Sequence, residues 1–170
     1  GAGFYLRRNL LTGITLAIQF GEPLPPGQRE ESRADAAVGV SNGTNSSDVA
    51  DLVKGQMLAI FVRPGACTPT CSAKHVPSYV ANADALKARG VDEIWCISVN
   101  DAFVMGAWGR DQKSTGIVSM MADGNAAYSK ALGLDAAFSK FGMDTRSPRY
   151  SLPFEDGAVR RPNVTQGGEF

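Results

Sequence analysis

Short apolar runs alternate with helical apolar patterns along most of the chain, and polar or glycine-containing turns separate them. In chain order, these patterns predict strands over 57–62, 91–99 and 117–122, helices over 76–90, from 101 and over 125–132, and a hairpin over 150–161 with its turn at Asp156–Gly157. The run from Ile94 to Val99 is apolar on both faces, which is typical of a central strand covered by helices on both sides. Strands that alternate with helices and end in a hairpin predict a mixed three-layer α/β domain.

The first third of the chain gives weaker patterns. Residues 12–20 predict a short strand, and the polar, glycine-containing residues 29–47 predict a long surface connection. Residues 36–40 can add a further strand to that connection. Ser47 and Asp48 are suited to cap a short helix that reaches Val53.

Two of the three cysteines lie in the turn between the first apolar run and the helix that follows it. Thr68 is a favourable N-cap residue, and Pro69 then occupies the first helical position, where the missing N–H costs nothing. Cys71 falls at the third helical position. Because a helix N-terminus favours negative charge, it favours the thiolate form of a cysteine placed there. The sequence therefore predicts a reactive thiol at Cys71.

Composition narrows the classes of function. The chain has 170 residues, with 17 basic and 17 acidic side chains, so no bulk field attracts nucleic acid or anionic lipid. No apolar run is long enough to cross a bilayer. Three cysteines are too few for a secreted disulfide scaffold, which indicates a reducing compartment. A cytoplasmic location is expected, with a mitochondrion or another organelle as the alternative because residues 1–11 carry two arginines and no acid.

Other readings of the cysteines are weaker. Cys67 and Cys71 are four residues apart rather than three, so a dithiol–disulfide site has little support. Cys67, Cys71 and His75 do not have the spacing of a zinc site, and no metal is expected. His75 is the only histidine; it can support the thiolate, although a local hydrogen bond is the favoured interpretation. Cys96 lies in an apolar strand, where cysteine is by default inert.

The stretch around Cys71 resembles the peroxiredoxins. Pro64-x-x-x-Thr68-x-x-Cys71 matches their active-site signature, and residues 64–77 as a whole are similar to the peroxiredoxin 5 (type II) subfamily. Further similar segments occur, in the same order, at 85–94, 96–109, 122–126 and 149–151. The resemblance covers about residues 48–165.

The resemblance implies a thioredoxin-like α/β/α fold with a mixed central sheet and a C-terminal β-hairpin, in a single redoxin domain over 1–170. Residues 1–47 match the family poorly, and the family's final helix is expected to be absent. The implied activity is thiol-dependent reduction of hydrogen peroxide and alkyl hydroperoxides, without a cofactor. A peroxide-sensing module that signals through oxidised Cys71 without sustained turnover is the alternative.

The family's site residues transfer to four positions. Cys71 matches the cysteine that attacks the peroxide and becomes a sulfenic acid. Thr68 would hydrogen-bond the peroxide and the sulfur, Pro64 would shield the pocket from water, and Arg149 would polarise the peroxide and hold the thiolate. A guanidinium suits that role because it offers forked donors and a permanent charge.

The resemblance leaves the second half of the cycle open. Cys96 matches the second cysteine of the plant-type members, but a buried strand thiol cannot reach Cys71 without local unfolding. Cys67 stands where the subfamily usually has phenylalanine, and is a weaker candidate for the resolving thiol. An external thiol (glutathione, glutaredoxin or thioredoxin) is therefore expected to recycle Cys71. A homodimer through the loops around Ala66, Phe103 and Trp108 is also expected.

Pro153 interrupts the first strand of the predicted hairpin. Proline cannot donate a ladder hydrogen bond, so this strand is expected at an edge or at a bulge of the sheet.

Overall fold

The structure is a computed structural model that describes residues 23–24, 26, 28–35, 40–69, 71–156, 158–160 and 163–164. Side chains are described for residues 23–24, 26, 48–69, 72–156 and 158–160. The strand predicted at 12–20 lies outside the described residues. So does the thiol of Cys71, although the backbone of that residue is described.

The elements alternate between strands and helices over the middle of the chain. In order they are β1 (Gln28–Asp35), β2 (Val40–Asp48), α1 (Val49–Leu52), β3 (Met57–Arg63), a π-helical turn (Cys71–His75), α2 (Val76–Ala81), α3 (Ala83–Ala88), β4 (Glu93–Ser98), α4 (Ala102–Asp111), β5 (Ser119–Ala122), α5 (Ala127–Ala131), β6 (Ala136–Ala137), a 3₁₀ turn (Ser139–Phe141), β7 (Thr145–Arg146), β8 (Tyr150–Glu155), β9 (Ala158–Val159) and β10 (Asn163–Val164). The central strands and helices agree with the predicted ones within a few residues, and residues 136–141 add the short strand β6 and the 3₁₀ turn.

One mixed sheet organises these elements, with strand order β10-β8-β3-β4-β5-β1-β2 and β9 paired to β8. β3, β4 and β5 are parallel, while β8 is antiparallel to β3 and β1 is antiparallel to β5. The carboxyl ends of β3, β4 and β5 therefore lie at the same edge of the sheet as the amino end of β8. The connections that leave or enter these four strands meet there.

A core lies on each face of the sheet, which confirms the three-layer α/β/α prediction. On one face, Ile60, Trp95 and Met121 pack with residues from α1 and α5. On the other face, buried residues of the strands, which include Phe61 and Cys96, pack with α2, α3 and α4. The helices contribute Val76, Met105 and Trp108 to this core. The apolar pattern of β4 on both faces follows from this arrangement, because one half of its side chains enters each core.

The surface connection predicted over 29–47 is wrong. Residues 28–35 and 40–48 are instead the antiparallel strands β1 and β2, with a register shift between Arg33 and Ala34, and β1 also pairs with β5. A strand at an edge is stabilised by its backbone hydrogen bonds and needs few apolar side chains, so its polar sequence resembles that of a loop. The further strand considered at 36–40 begins only at Val40, and 36–39 lie outside the described residues.

Pro153 is not on an edge strand, because β8 pairs with β3 on one side and with β9 and β10 on the other. The carbonyl of Pro153 accepts a hydrogen bond from the Arg160 N–H at 2.7 Å. Since the N and C=O of one strand residue point to the same side, the missing N–H of Pro153 also points toward β9 and β10. The proline is tolerated there because those partners are short and pair with other residues of β8.

Candidate active site

Three connections surround the start of the helix that contains Cys71. The loop Pro64–Thr68 leaves β3, Val99 and Asn100 leave β4, and Arg149 immediately precedes β8. Val62 is paired with Tyr150, which places Pro64 and Arg149 just beyond the same end of the β3–β8 ladder. The topology thus brings together two of the predicted site residues that are 85 positions apart in the sequence.

Hydrogen bonds hold the Pro64–Thr68 loop against the end of β4. The Ala66 N–H donates to Oδ1 of Asn100 at 2.8 Å, and the Ser98 hydroxyl donates to the same oxygen at 2.8 Å. Within the loop, the Thr68 hydroxyl donates to the Gly65 carbonyl at 3.0 Å. Because that bond uses the hydroxyl hydrogen, the Thr68 oxygen presents its lone pairs as an acceptor.

Arg146 lies beside Gly65 of this loop and hydrogen-bonds to backbone carbonyls outside it. Its Nη1 donates to the Val99 carbonyl at 2.7 Å and its Nε donates to the Met143 carbonyl at 2.8 Å. A Cβ placed on Gly65 would lie 3.5 Å from this Nη1 and 3.2 Å from Cγ2 of Thr68. Glycine at position 65 therefore lets the loop approach the guanidinium and the threonine closely.

The predicted helix start is confirmed. The Ser72 N–H donates to the Thr68 carbonyl at 3.0 Å, which makes Thr68 the N-cap and puts Cys71 in the first turn. The turn Cys71–His75 is π-helical, and Pro77 lies at the beginning of α2. A π turn is a recognised feature of functional sites, and because this one ends at His75, Pro77 lies in the first turn of α2, where its missing N–H is tolerated.

Trp108 fixes the residue that follows Cys71. Its indole N–H donates to the Ser72 hydroxyl at 2.9 Å, and its side chain is 1% exposed. Trp108 is therefore a core residue that supports the helix start. Phe103, on the first turn of α4, is 56% exposed.

Arg149 lies at this end of the β3–β8 ladder, and its charge acts on His75. Its Nε is buried, and the described part of the chain gives this atom no hydrogen-bond partner. A buried donor of this kind normally has a partner, so the atom is suited to bind a ligand or an anionic group. This geometry fits the predicted role of Arg149.

His75 is buried next to two arginines. Burial is the largest cause that lowers the pKa of His75 from its ordinary value of 6.5 to about 4, and the charges of Arg63, Arg149 and Lys74 lower it further. At neutral pH the imidazole is therefore uncharged. It does not supply a cation to a neighbouring thiolate, and it is a poor general base because its conjugate acid is strong.

The buried, neutral His75 should make stability depend on pH. Its folded-state pKa lies below the unfolded value, so between pH 6.5 and pH 4 the unfolded chain binds a proton that the folded chain does not. The free energy of unfolding should therefore decrease as the pH is lowered through this range. His75 alone should account for a loss of about 2–3 kcal/mol at pH 4.5 relative to pH 7.5. Urea unfolding at pH 7.5 and 4.5 measures the loss, and His75→Gln should remove that share of it. An equal loss in the variant would refute this assignment.

The two described cysteines differ sharply in accessibility. Cys67 is exposed and adopts a left-handed backbone conformation with φ of 59°, whereas Cys96 is 0% exposed in the middle of the sheet. Both are free thiols. Cys67 is therefore accessible to solvent without local unfolding, whereas Cys96 is not.

The sequence interpretation found Thr68, Pro64, Arg149 and His75, which the fold gathers near position 71, but it missed two arginines. No sequence pattern pointed to Arg146 as part of the site, since one of its backbone partners, the Val99 carbonyl, lies in a distant segment. A pattern did point to Arg63, because it is a charged residue directly after a buried apolar run. In the described part of the chain no three His, Cys, Asp or Glu side chains gather as metal ligands do. None of the described helices has the length and apolar character needed to cross a membrane.

Comparison with known proteins agrees with this geometry. The sequence profile of the Redoxin family matches residues 20–168. Peroxiredoxin-2E, chloroplastic, of Arabidopsis thaliana is 40% identical over 161 residues, which cover 94% of this chain and 67% of the relative. The reduced Prx3 of Vibrio vulnificus, solved in complex with H₂O₂, is 40% identical with a TM-score of 0.81, over 90% of this chain and 91% of that one.

A solved protein of Burkholderia cenocepacia, provisionally described as a thioredoxin reductase, is also similar. It is 52% identical with a TM-score of 0.85, over 90% of each chain. That description names a different oxidoreductase, whereas the family profile and the curated relatives agree on peroxiredoxins. The relatives include proteins named chloroplastic and mitochondrial, so similarity does not select one compartment. The chain belongs to the redoxin family and is a peroxiredoxin of the type II group, a thiol-dependent peroxidase with a thioredoxin-like fold.

Proposed function

We propose that Cys71 is the residue that reduces the peroxide. The observation that carries this proposal is the position of Cys71 in the first turn of a helix that begins at Thr68, beyond the end of the β3–β8 ladder where Pro64 and Arg149 lie. The thiolate sulfur attacks one oxygen of ROOH, so that an S–O bond forms and the O–O bond breaks. Sulfur is oxidised to the sulfenic acid, and the leaving RO⁻ takes a proton from solvent to give the alcohol, or water for H₂O₂.

The neighbouring residues assist this step in different ways. Arg149 stabilises the thiolate and the negative charge that develops on the leaving oxygen. The lone pairs of the Thr68 hydroxyl accept a hydrogen bond from the peroxide, since its own hydrogen is bonded to the Gly65 carbonyl. Pro64 is half-buried beside the helix start and excludes water from it. His75 stays neutral and takes no part in proton transfer.

We propose that an external thiol of the glutathione, glutaredoxin or thioredoxin type completes the cycle. It attacks the sulfenic sulfur, which releases water and leaves a mixed disulfide, and a second thiol then restores Cys71. The complete burial of Cys96 supports an external reductant over that residue. If an internal thiol competes, the exposed Cys67 is the better placed.

Mass spectrometry after one equivalent of H₂O₂ tests this proposal. With glutathione present, we expect a glutathione adduct on Cys71 and no disulfide to Cys96. The matched control is the same treatment without glutathione, which should leave a sulfenic acid at Cys71 or a Cys67–Cys71 disulfide. A Cys71–Cys96 disulfide as the main product would contradict the external cycle. Oxidation that stops after one turnover with every reductant would favour a peroxide sensor.

Several broader features are also proposed. One redoxin domain accounts for the whole chain, and it works in a reducing compartment, the cytoplasm or an organelle. A homodimer is supported by the exposed Phe103 and Val104 at the start of α4, near the Ala66–Asn100 contact. Sedimentation of the reduced protein that showed only an 18.0 kDa species would contradict the dimer.

A further inference from the structure

Arg63, the last residue of β3, is a permanent charge in a place from which water is largely excluded. Its side chain is only 4% exposed. Burying a charged group costs roughly several kcal/mol of solvation free energy. An apolar side chain of similar volume at the same position often gives an equally stable or a more stable protein. Stability therefore does not explain why an arginine occupies this position.

Contacts within the structure fix the direction of Arg63. Its guanidinium carbon lies 5.0 Å from the centre of the Phe61 ring, and that ring stacks on Tyr79 of α2 with 3.9 Å between centroids. Its Nη1 lies 3.3 Å from the Val62 carbonyl. The guanidinium is thus held on the face of the sheet that α2 covers, which is the face of the active-site helix.

Arg63 also lies beside Arg149. Val62 pairs with Tyr150, so one step further along the ladder Arg63 and Arg149 come opposite each other. Both charges act on His75, since each of them lowers its pKa. Two guanidinium groups that act on the same imidazole repel each other, and an anion near both of them relieves that repulsion.

Position 71 is the natural place for that anion. Cys71 begins the π-helical turn that His75 ends, and residues about one π turn apart share one side of the helix. We propose that Arg63 is a second cationic group of the site, which together with Arg149 holds Cys71 as its thiolate. The inference rests on the proposed role of Cys71. The charged groups that act on neutral His75 are Arg63 from β3, Arg149 before β8 and Lys74 from the π turn, and Arg63 also acts on Tyr79 of α2.

The test is the pKa of the Cys71 thiol, measured by the pH dependence of its alkylation with iodoacetamide in a Cys67→Ser/Cys96→Ala background. Arg63→Met should raise this pKa by about one unit or more, because an opposite charge at short range shifts a pKa by about 1–3 units. At pH values well below the thiol pKa, the rate constant with H₂O₂ should then fall about tenfold for each unit of the rise, and it should recover at high pH. Arg63→Lys should restore most of both effects.

Arg160→Met is the matched control, because Arg160 is half-exposed and paired with Glu155 on the surface. It removes the same charge and should leave the thiol pKa unchanged. An unchanged pKa in folded Arg63→Met, or equal shifts in Arg63→Met and Arg63→Lys, overturns the inference. Arg63→Gln takes the place of the methionine variant if that variant does not fold. Failure of the proposed function looks different, since peroxide would then fail to react with Cys71 in the parent background itself.

Discussion

Replacing Cys71 with serine should abolish peroxide consumption, by a factor of at least about a thousand. A serine hydroxyl is nearly isosteric with the thiol, but it is not ionised at neutral pH and cannot form a sulfenic acid. The helix start should be unaffected, because the Thr68–Ser72 hydrogen bond and the Trp108–Ser72 hydrogen bond involve other residues. The loss should therefore appear in the rate of H₂O₂ consumption with an excess of thiol reductant, while circular dichroism and thermal unfolding remain as in the parent protein.

The other two cysteines provide controls for this variant. Cys67→Ser and Cys96→Ala should keep single-turnover oxidation by peroxide at the parent rate, since any resolving thiol acts only after that step. Alanine is the better choice at position 96, because that position is fully buried in an apolar core, where adding a hydroxyl costs solvation free energy. Substantial peroxidase activity in Cys71→Ser, or its loss in Cys67→Ser, would show that another thiol is the nucleophile.

Replacing Arg149 with glutamine should lower kcat/KM for H₂O₂ by about a hundredfold to a thousandfold, which is typical when a donor to a developing oxyanion is removed. Two effects contribute. The thiol pKa rises, so less thiolate is present at neutral pH, and the leaving oxygen loses a charged donor. Stopped-flow measurement of the oxidation step between pH 5 and pH 9 separates them, because the first effect disappears at high pH while the second remains.

Two variants sharpen this experiment. Arg149→Lys keeps the charge but loses the forked donors, so it should recover the thiol pKa more fully than the rate at high pH. Arg160→Gln makes the same substitution at an exposed, surface-paired arginine and should leave kcat/KM unchanged. If Arg149→Gln oxidised at the parent rate over this pH range, Arg149 would have no role in the chemical step.

The sequence predicted best those elements whose apolar pattern matches their burial. β4 was identifiable because both of its faces enter a core, and α4 because Asp101 accepts a hydrogen bond from the Val104 N–H at 2.9 Å as an N-cap should. The β1–β2 hairpin was missed because its strands are stabilised by backbone pairing at the edge of the sheet, which leaves little trace in a polar sequence. The π turn was not predicted, because α-helical and π-helical turns have the same kind of apolar pattern over so few residues.

The residues of the site also differ in how far the sequence predicts them. Local capping rules placed Thr68, Pro69 and Cys71 relative to one another, because those residues are neighbours in the chain. Arg149 was found only through resemblance to a family, since nothing local links it to the helix start. A charged residue after an apolar run was a local sign of Arg63, but its place relative to Arg149 depends on strand register, and the contacts of Arg146 depend on backbone carbonyls of distant segments, which a single sequence does not reveal. The long-range electrostatics of the site were therefore its least predictable part.

The most direct test of the central claim is to identify the first thiol that peroxide oxidises in the unmodified chain. The reduced protein is mixed with one equivalent of H₂O₂ in the presence of dimedone, which traps sulfenic acids, and the labelled residue is identified by tandem mass spectrometry. We expect the label on Cys71, with Cys67 and Cys96 unlabelled. A label on Cys67 with Cys71 still reduced would contradict the account.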